Sequence, residues 1–160
     1  MNIARLPILL STSFLAFIFL SFTIPTHFDK STEISIVNME NDILTCINLH
    51  RKSMQLKPLQ LNTIESTVAN RHSADMASGK TPFGHAGMQK RMNIISRQLG
   101  FISASAENVA FGQLSAKEVV NTWLASPGHR RNIEGDYMLT GIGVAKDKKG
   151  GIYYTQIFTR

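Results

Sequence analysis

A chain of 160 residues has room for one domain with a real hydrophobic core and not for two. Its 17 Lys and Arg against 11 Asp and Glu give a net charge of +6, but no interleaving of basic and aromatic residues and no nucleic-acid motif accompanies it, which speaks against nucleic acid as a partner. The single cysteine, Cys46, excludes an intramolecular disulfide, so the core alone must hold the domain.

Met1 to Arg5 is a short basic stretch, and Leu6 to Ile24 is an uncharged apolar run. This is the pattern of a secretory signal or an uncleaved N-terminal anchor. The run is longer than the roughly 7–15 residues of an ordinary signal core and approaches the ~20 that span a bilayer. Ser21-Phe22-Thr23 is a poor cleavage site, and no Ala-x-Ala occurs. Residues 1–26 are therefore read as a signal peptide or membrane anchor, 27–40 as a polar, irregular tether, and 41–160 as the folded domain. The expected location is outside the cytoplasm, secreted or periplasmic, with Leu6 to Ile24 able to tether the chain to a membrane.

Asn41 or Asp42 can cap a first helix with Ile43, Leu44, Ile47 and Met54 as its apolar stripe, and Lys57-Pro58 ends it. Cys46 falls in that apolar pattern and reads as a small buried hydrophobe. Asn62 caps a second helix, to about Ser78, with Glu65 placed as in a capping box and Gly79 as the stop. Its His72 lies beside apolar positions and reads as a packed histidine. Thr81 to Gly87 is a loop. A third helix covers Met88 to Leu99, with Met92, Ile95 and Leu99 inward, and ends at Gly100.

Glu107 to Phe111 suits a short strand that Gly112 breaks. Ser115 and Glu118 form a capping box for a helix over Ala116 to Ala125, with Val119, Val120, Trp123 and Leu124 as its core face; Pro127-Gly128 ends it in a tight turn. Thr140 to Ala145 and Ile152 to Phe158 are strands joined by the hairpin signal Asp147-Lys148-Lys149-Gly150-Gly151. Helices before and between short strands make the class α+β, with helices packed on a small antiparallel sheet. Basic residues are dispersed apart from Lys146, Lys148 and Lys149. That cluster fits attraction to anionic lipid or cell-wall polymer, or simply a solvated turn.

Chemistry-bearing residues stand in three places. His85 lies in the loop Phe83-Gly84-His85-Ala86-Gly87, Glu107 in an apolar strand, and His129 in Ser126-Pro127-Gly128-His129. Two histidines, each directly after a Gly, and a glutamate can form a polar cleft. Such a set can bind Zn²⁺ with an open fourth position. Alternatively, Glu107 can hold one imidazole in a chosen tautomer and leave the other free for acid–base work. A Ser126–His129 nucleophilic pair is weaker, since no third member is evident. The competing reading is a structural network in which both imidazoles are tied to Glu107. Asn108 is expected to satisfy backbone groups at the strand edge, Asn132 a turn, and Trp123 to be core first. His27 and His50, with no partner pattern, are expected in solvent.

Together, Arg71-His72-Ser73-Ala74-Asp75-Met76-Ala77, Phe83-Gly84-His85, Ala106-Glu107-Asn108-Val109-Ala110-Phe111-Gly112, Trp123-Leu124-Ala125-Ser126-Pro127-Gly128-His129-Arg130-Arg131-Asn132 and the ending Gly141-Ile142-Gly143 with Tyr153 to Phe158 resemble the CAP superfamily of cysteine-rich secretory, antigen 5 and pathogenesis-related proteins. The match is to its bacterial, SCP-domain branch and covers about Asp42 to Arg160. The resemblance implies an α-β-α sandwich and a cleft with a tetrad of two histidines and two glutamates. His85, Glu107 and His129 match three of these, and Ser126 stands where the second glutamate would fall. It also implies divalent-metal binding through the two histidines. The expected function is an exported binding module for a lipid, glycan or envelope protein. The alternative is a metal-assisted hydrolase of an envelope peptide, ester or cell-wall substrate, with Zn²⁺ on His85 and His129 and Glu107 as base or third ligand.

Overall fold

The computed structural model describes residues 30–113 and 115–160, with side chains from residue 38 onward. The apolar run Leu6 to Ile24, and His27, lie outside the described residues. The first element, α1 (Lys30–Ser53), begins earlier than expected. Lys30 to Glu40, read as part of an irregular tether, is helical, and this stretch holds neither Pro nor Gly to break a helix. After α1 the chain turns through Gln55, in the left-handed region at φ 59°, and Pro58 precedes the short strand β1 (Gln60–Leu61).

Asn62 caps α2 (Thr63–Ala77), its side-chain oxygen accepting from the backbone N–H of Ile64 and Glu65 at 3.0 and 3.1 Å. The reciprocal half of the expected capping box is missing. Glu65 points into the interior and accepts from the Thr159 hydroxyl, while the Asn62 N–H donates to the Thr140 carbonyl. The next elements, α3 (Met88–Leu99), β2 (Ser105–Phe111) and α4 (Ala116–Ala125), fall where the pattern placed them. Beyond α4 the expected tight turn is instead a helix, α5 (Pro127–Glu134). Pro127 does end α4, but its fixed φ and missing N–H also suit the first position of a new helix. The chain closes with the hairpin of β3 (Leu139–Lys146) and β4 (Ile152–Thr159).

Strand order is β1-β3-β4-β2. The β3–β4 and β4–β2 pairs are antiparallel as expected, but β1 runs parallel to β3, so the sheet is mixed. β1 supplies hydrogen bonds that the start of β3 would otherwise lack: the Gln60 N–H donates to the Met138 carbonyl at 2.9 Å. Further along β3 that work falls to α2, where Ser66 Oγ accepts from the Ile142 N–H and Asn70 Oδ1 from the Val144 N–H.

Side chains alternate across the sheet and build two cores. Ile142, Val144, Tyr154 and Phe158 face α1, α4 and α5, packing with Ile43, Ile47, Val119, Trp123 and Ile133. Ile157 faces the other way, with Val68 and Ala69 of α2 and Met92 and Ile95 of α3. Helices thus cover both faces of the sheet, the α-β-α sandwich that the resemblance implied.

Candidate functional site: the edge of strand β2

Strand β2 lies at the edge of the sheet, and its consecutive residues point to opposite layers. Glu107 faces α3 and Asn108 faces α5. The backbone groups on its outer edge are covered rather than left to solvent. Trp123 Nε1 of α4 donates to the Val109 carbonyl at 3.2 Å, and Asn132 Nδ2 of α5 to the Glu107 carbonyl at 3.3 Å. Asn132 also donates to Asn108 Oδ1 at 2.8 Å, and Asn108 Nδ2 donates to the His129 carbonyl at 3.3 Å. These two asparagines lock the first turn of α5, and with it His129, onto β2. Asn108 satisfies a backbone carbonyl of α5 rather than one of the strand edge, and Asn132 serves the strand edge from a helix rather than a turn.

Glu107 is buried and fully engaged. Arg91, in the first turn of α3, grips it along one edge of its guanidinium: Nε donates to Oε2 at 2.6 Å and Nη2 to Oε1 at 2.7 Å. His85 Nδ1 lies 2.9 Å from the same Oε1. Because the carboxylate only accepts here, His85 Nδ1 carries the proton, and in the neutral ring Nε2 keeps its lone pair. That ring is about half exposed (48%), whereas the Glu107 side chain has no exposure at all.

A second histidine holds this arrangement from behind. Arg91 Nη1 lies 3.2 Å from His72 Nδ1, and arginine can only donate, so His72 Nδ1 accepts. Its proton is then on Nε2, which donates to the Gly84 carbonyl at 2.9 Å. Gly84 adopts φ +128°, a conformation that L side chains avoid, and this bend delivers His85 to Glu107. Burial lowers the His72 pKa, followed by smaller effects that include repulsion from Arg91, in keeping with a neutral ring. His72 is a packed, positioning histidine, as its helical setting suggested.

His129 is half-buried in the first turn of α5. Its pKa is lowered, first by burial and second by the nearby His85 ring. Its Nδ1 is buried without a hydrogen-bond partner among the described residues. His85, Glu107 and His129, drawn from a loop, a strand and a helix, therefore converge at the β2 edge. Ser126 sits between α4 and α5, its side chain making no cap hydrogen bond, and among the described residues no hydrogen bond joins it to His129. His50 departs from the expectation of solvent: it is partly buried, with Nε2 2.9 Å from Glu134 Oε1.

Arg91 is the residue that sequence reading missed. It looked like one of many dispersed surface cations. The available signal was Glu107 itself, because a carboxylate in an apolar strand needs a buried cation. Arg91 also changes the chemistry on offer. Glu107 is neutralised, and both of its oxygens are taken, so it is poorly placed to act as a base or third metal ligand. Among the described residues no group of three or more His, Cys, Asp or Glu side chains could hold a metal ion. What remains is two imidazoles, with His85 backed by a carboxylate, the arrangement that orients metal-binding histidines elsewhere.

Residues 44–158 match the family described as CAP, the cysteine-rich secretory protein family. The chain belongs to the CAP family. The chain is 32% identical over 139 residues to the Bacillus subtilis (strain 168) protein YkwD, a match covering 82% of this chain and 51% of that one. It is 32% identical over 126 residues to the membrane protein YlbC of the same strain, covering 76% of this chain and 34% of that one. The chain thus spans about half the length of the first relative and a third of the second. Among solved structures, the CAP fold here aligns with an extracellular protein containing a SCP domain from Bacillus anthracis, with TM-score 0.68 and 25% identity, over 78% of this chain and 41% of that one.

Proposed function

We propose that this CAP domain is an exported binding module whose cleft takes a divalent cation or a small polar ligand between His85 and His129. The observation that carries the reading is the double grip of Arg91 on Glu107. It leaves the cleft with two lone-pair imidazoles and no free carboxylate at its centre, a set suited to binding rather than to hydrolysis. Export is supported by the apolar run Leu6 to Ile24 and by the extracellular relative from Bacillus anthracis. Among the described residues no helix is long and apolar enough to cross a membrane.

The divalent metal implied by the family fits the residues present as a two-histidine site. His85 Nε2 and the His129 ring would hold it, with water or the bound ligand completing the shell. When bound, such an ion supplies a Lewis-acidic anchor for a ligand carboxylate, phosphate or carbonyl. Glu107 contributes by fixing the tautomer of His85, and Arg91 by fixing Glu107.

Titration calorimetry of the full chain with Zn²⁺ tests this. Wild type binds, and His85→Ala and His129→Ala each weaken binding by more than the roughly 10–100-fold that loss of an outer-shell partner costs. Equal zinc affinity in wild type and the double variant would remove the metal reading. Unchanged zinc binding with a lowered melting temperature would make the cluster a purely structural network.

A further inference from the structure

Three aromatic rings meet at the hairpin end of the sheet. Phe83, two residues before His85, lies 6.5 Å between centroids from both Phe111 at the end of β2 and Tyr153 of β4; Phe111 and Tyr153 are 4.5 Å apart. This is not core: Phe83 keeps 56% and Phe111 47% of its exposure. The Phe111 ring rests on the hairpin turn, where a Cβ added at Gly151 would come 2.7 Å from Phe111 Cε2 and 2.8 Å from Asp147 Oδ2.

That turn carries Lys146, Lys148 and Lys149, all exposed. Its one acid, Asp147, is occupied in shaping the turn: Oδ1 accepts from the backbone N–H of Lys149 and of Gly151, both at 2.8 Å. Among the described residues no ion pair engages the three lysines. Exposed aromatic rings beside unpaired lysines are the composition that partitions into the interface of a negatively charged bilayer. A sugar would want a flat, open ring face, but these rings are tilted by 63°, 59° and 47° to one another and form a knob.

We infer that this end of the domain docks on an anionic phospholipid bilayer, with Phe83 and Phe111 entering the headgroup layer and the hairpin lysines pairing with lipid phosphates. The inference stands apart from the reading of the cleft, since it uses none of its side chains. Docking would bring the loop that carries His85 to the membrane surface.

The test uses the full chain as Phe111→Trp with vesicles of phosphatidylglycerol and phosphatidylcholine bearing brominated acyl chains. Trp123, the single native tryptophan, is fully buried and bonded to the Val109 carbonyl, so its emission serves as an internal reference for the fold. The added indole is expected to shift to shorter wavelength and be quenched by the anionic vesicles, and not by vesicles of phosphatidylcholine alone. Reversing Lys146, Lys148 and Lys149 to Glu weakens this response by at least on the order of 100-fold, since loss of the attraction alone is worth roughly fivefold per lysine near a charged surface. If the chain sediments with vesicles while the added indole stays unquenched, another segment holds it and the inference falls. It falls equally if the lysine reversals change nothing, or if the indole responds to a soluble N-acetylglucosamine oligomer and not to vesicles.

Discussion

Glu107 and Glu65 are both buried carboxyls, and their neighbours give them opposite characters. Glu107 meets a bidentate guanidinium, so its charge is matched inside the protein. Glu65, fully buried on α2, accepts from the Thr159 hydroxyl on Oε1, and Oε2 has no hydrogen-bond partner among the described residues. Burial raises its pKa from 4.5 to about 7, only partly offset by that hydrogen bond. The folded chain therefore holds this proton more tightly than the unfolded chain does. Its stabilising effect is complete below pH 4.5 and is lost as pH rises through about 7, because the unfolded chain then releases the proton while folding resists its release. Glu65→Gln removes this titration. Urea melts across pH 4 to 9 should show a flatter stability profile for the variant, which exceeds wild type above pH 7 by on the order of 3 kcal/mol. An unchanged slope would mean that Glu65 is not the titrating group.

At the scale of elements, the position of α2 depends on two residues of β3 that have no side chain. A Cβ at Gly141 would stand 2.1 Å from the backbone carbon of Glu65, and one at Gly143 would stand 2.2 Å from the backbone of Ala69 and Asn70. The helix lies so close that Ser73 Oγ reaches the Gly143 carbonyl and the Thr155 hydroxyl, and Asn70 reaches the Val144 N–H. Gly143→Ala should push α2 off the sheet, break these bonds and cost about 3 kcal/mol or more. Gly128→Ala is the matched control, since only the Arg131 guanidinium, at 3.9 Å, comes within 4 Å of a Cβ there, and its effect should stay within about 0.5 kcal/mol. Denaturation midpoints decide the comparison, and equal losses would contradict it. On the opposite face, Arg51 secures α5 to α1: Nη1 donates to the carbonyls of Ile133 and Gly135 at the helix end, and Nε to that of Lys57. Both anchors bear on the candidate site, because His85 follows α2 and His129 belongs to α5.

For the molecule as a whole, one sheet serves two cores. Ile157 and Phe158 are neighbours in β4 yet belong to opposite layers, so neither layer can lose its packing without exposing the strand that supports the other. Unfolding should be a single cooperative transition. Trp123 emission reports the α1, α4 and α5 layer, and far-UV circular dichroism reports all the helices; the two thermal curves should coincide. A separate, earlier tryptophan transition would show that α4 and α5 open by themselves. The candidate site depends on this unity: His85 and His129 come from opposite layers and are each tied to β2, through Glu107 and Asn108.

Much of this was legible along the chain because its causes are local. Helix caps at Asn62 and Ser115, stops at Gly79 and Gly100, the hairpin turn and the order of motifs around His85, Glu107 and His129 all follow from residues a few positions apart. The same holds for the α+β class and for membership of the CAP family. Other features waited for the tertiary structure. Arg91 and Glu107 are 16 residues apart, and only the packing of α3 on β2 makes the cation the carboxylate's partner. Pro127 reads equally as a stop and as a start, and α5 is held at its first turn by Asn108 of β2 and at its end by Arg51. The parallel pairing of β1 likewise answers a need of β3 nearly 80 residues away. Local propensity acts within a turn or two of the chain, whereas the neutralising of a buried charge and the covering of a sheet edge are settled by whatever the fold brings within hydrogen-bonding distance.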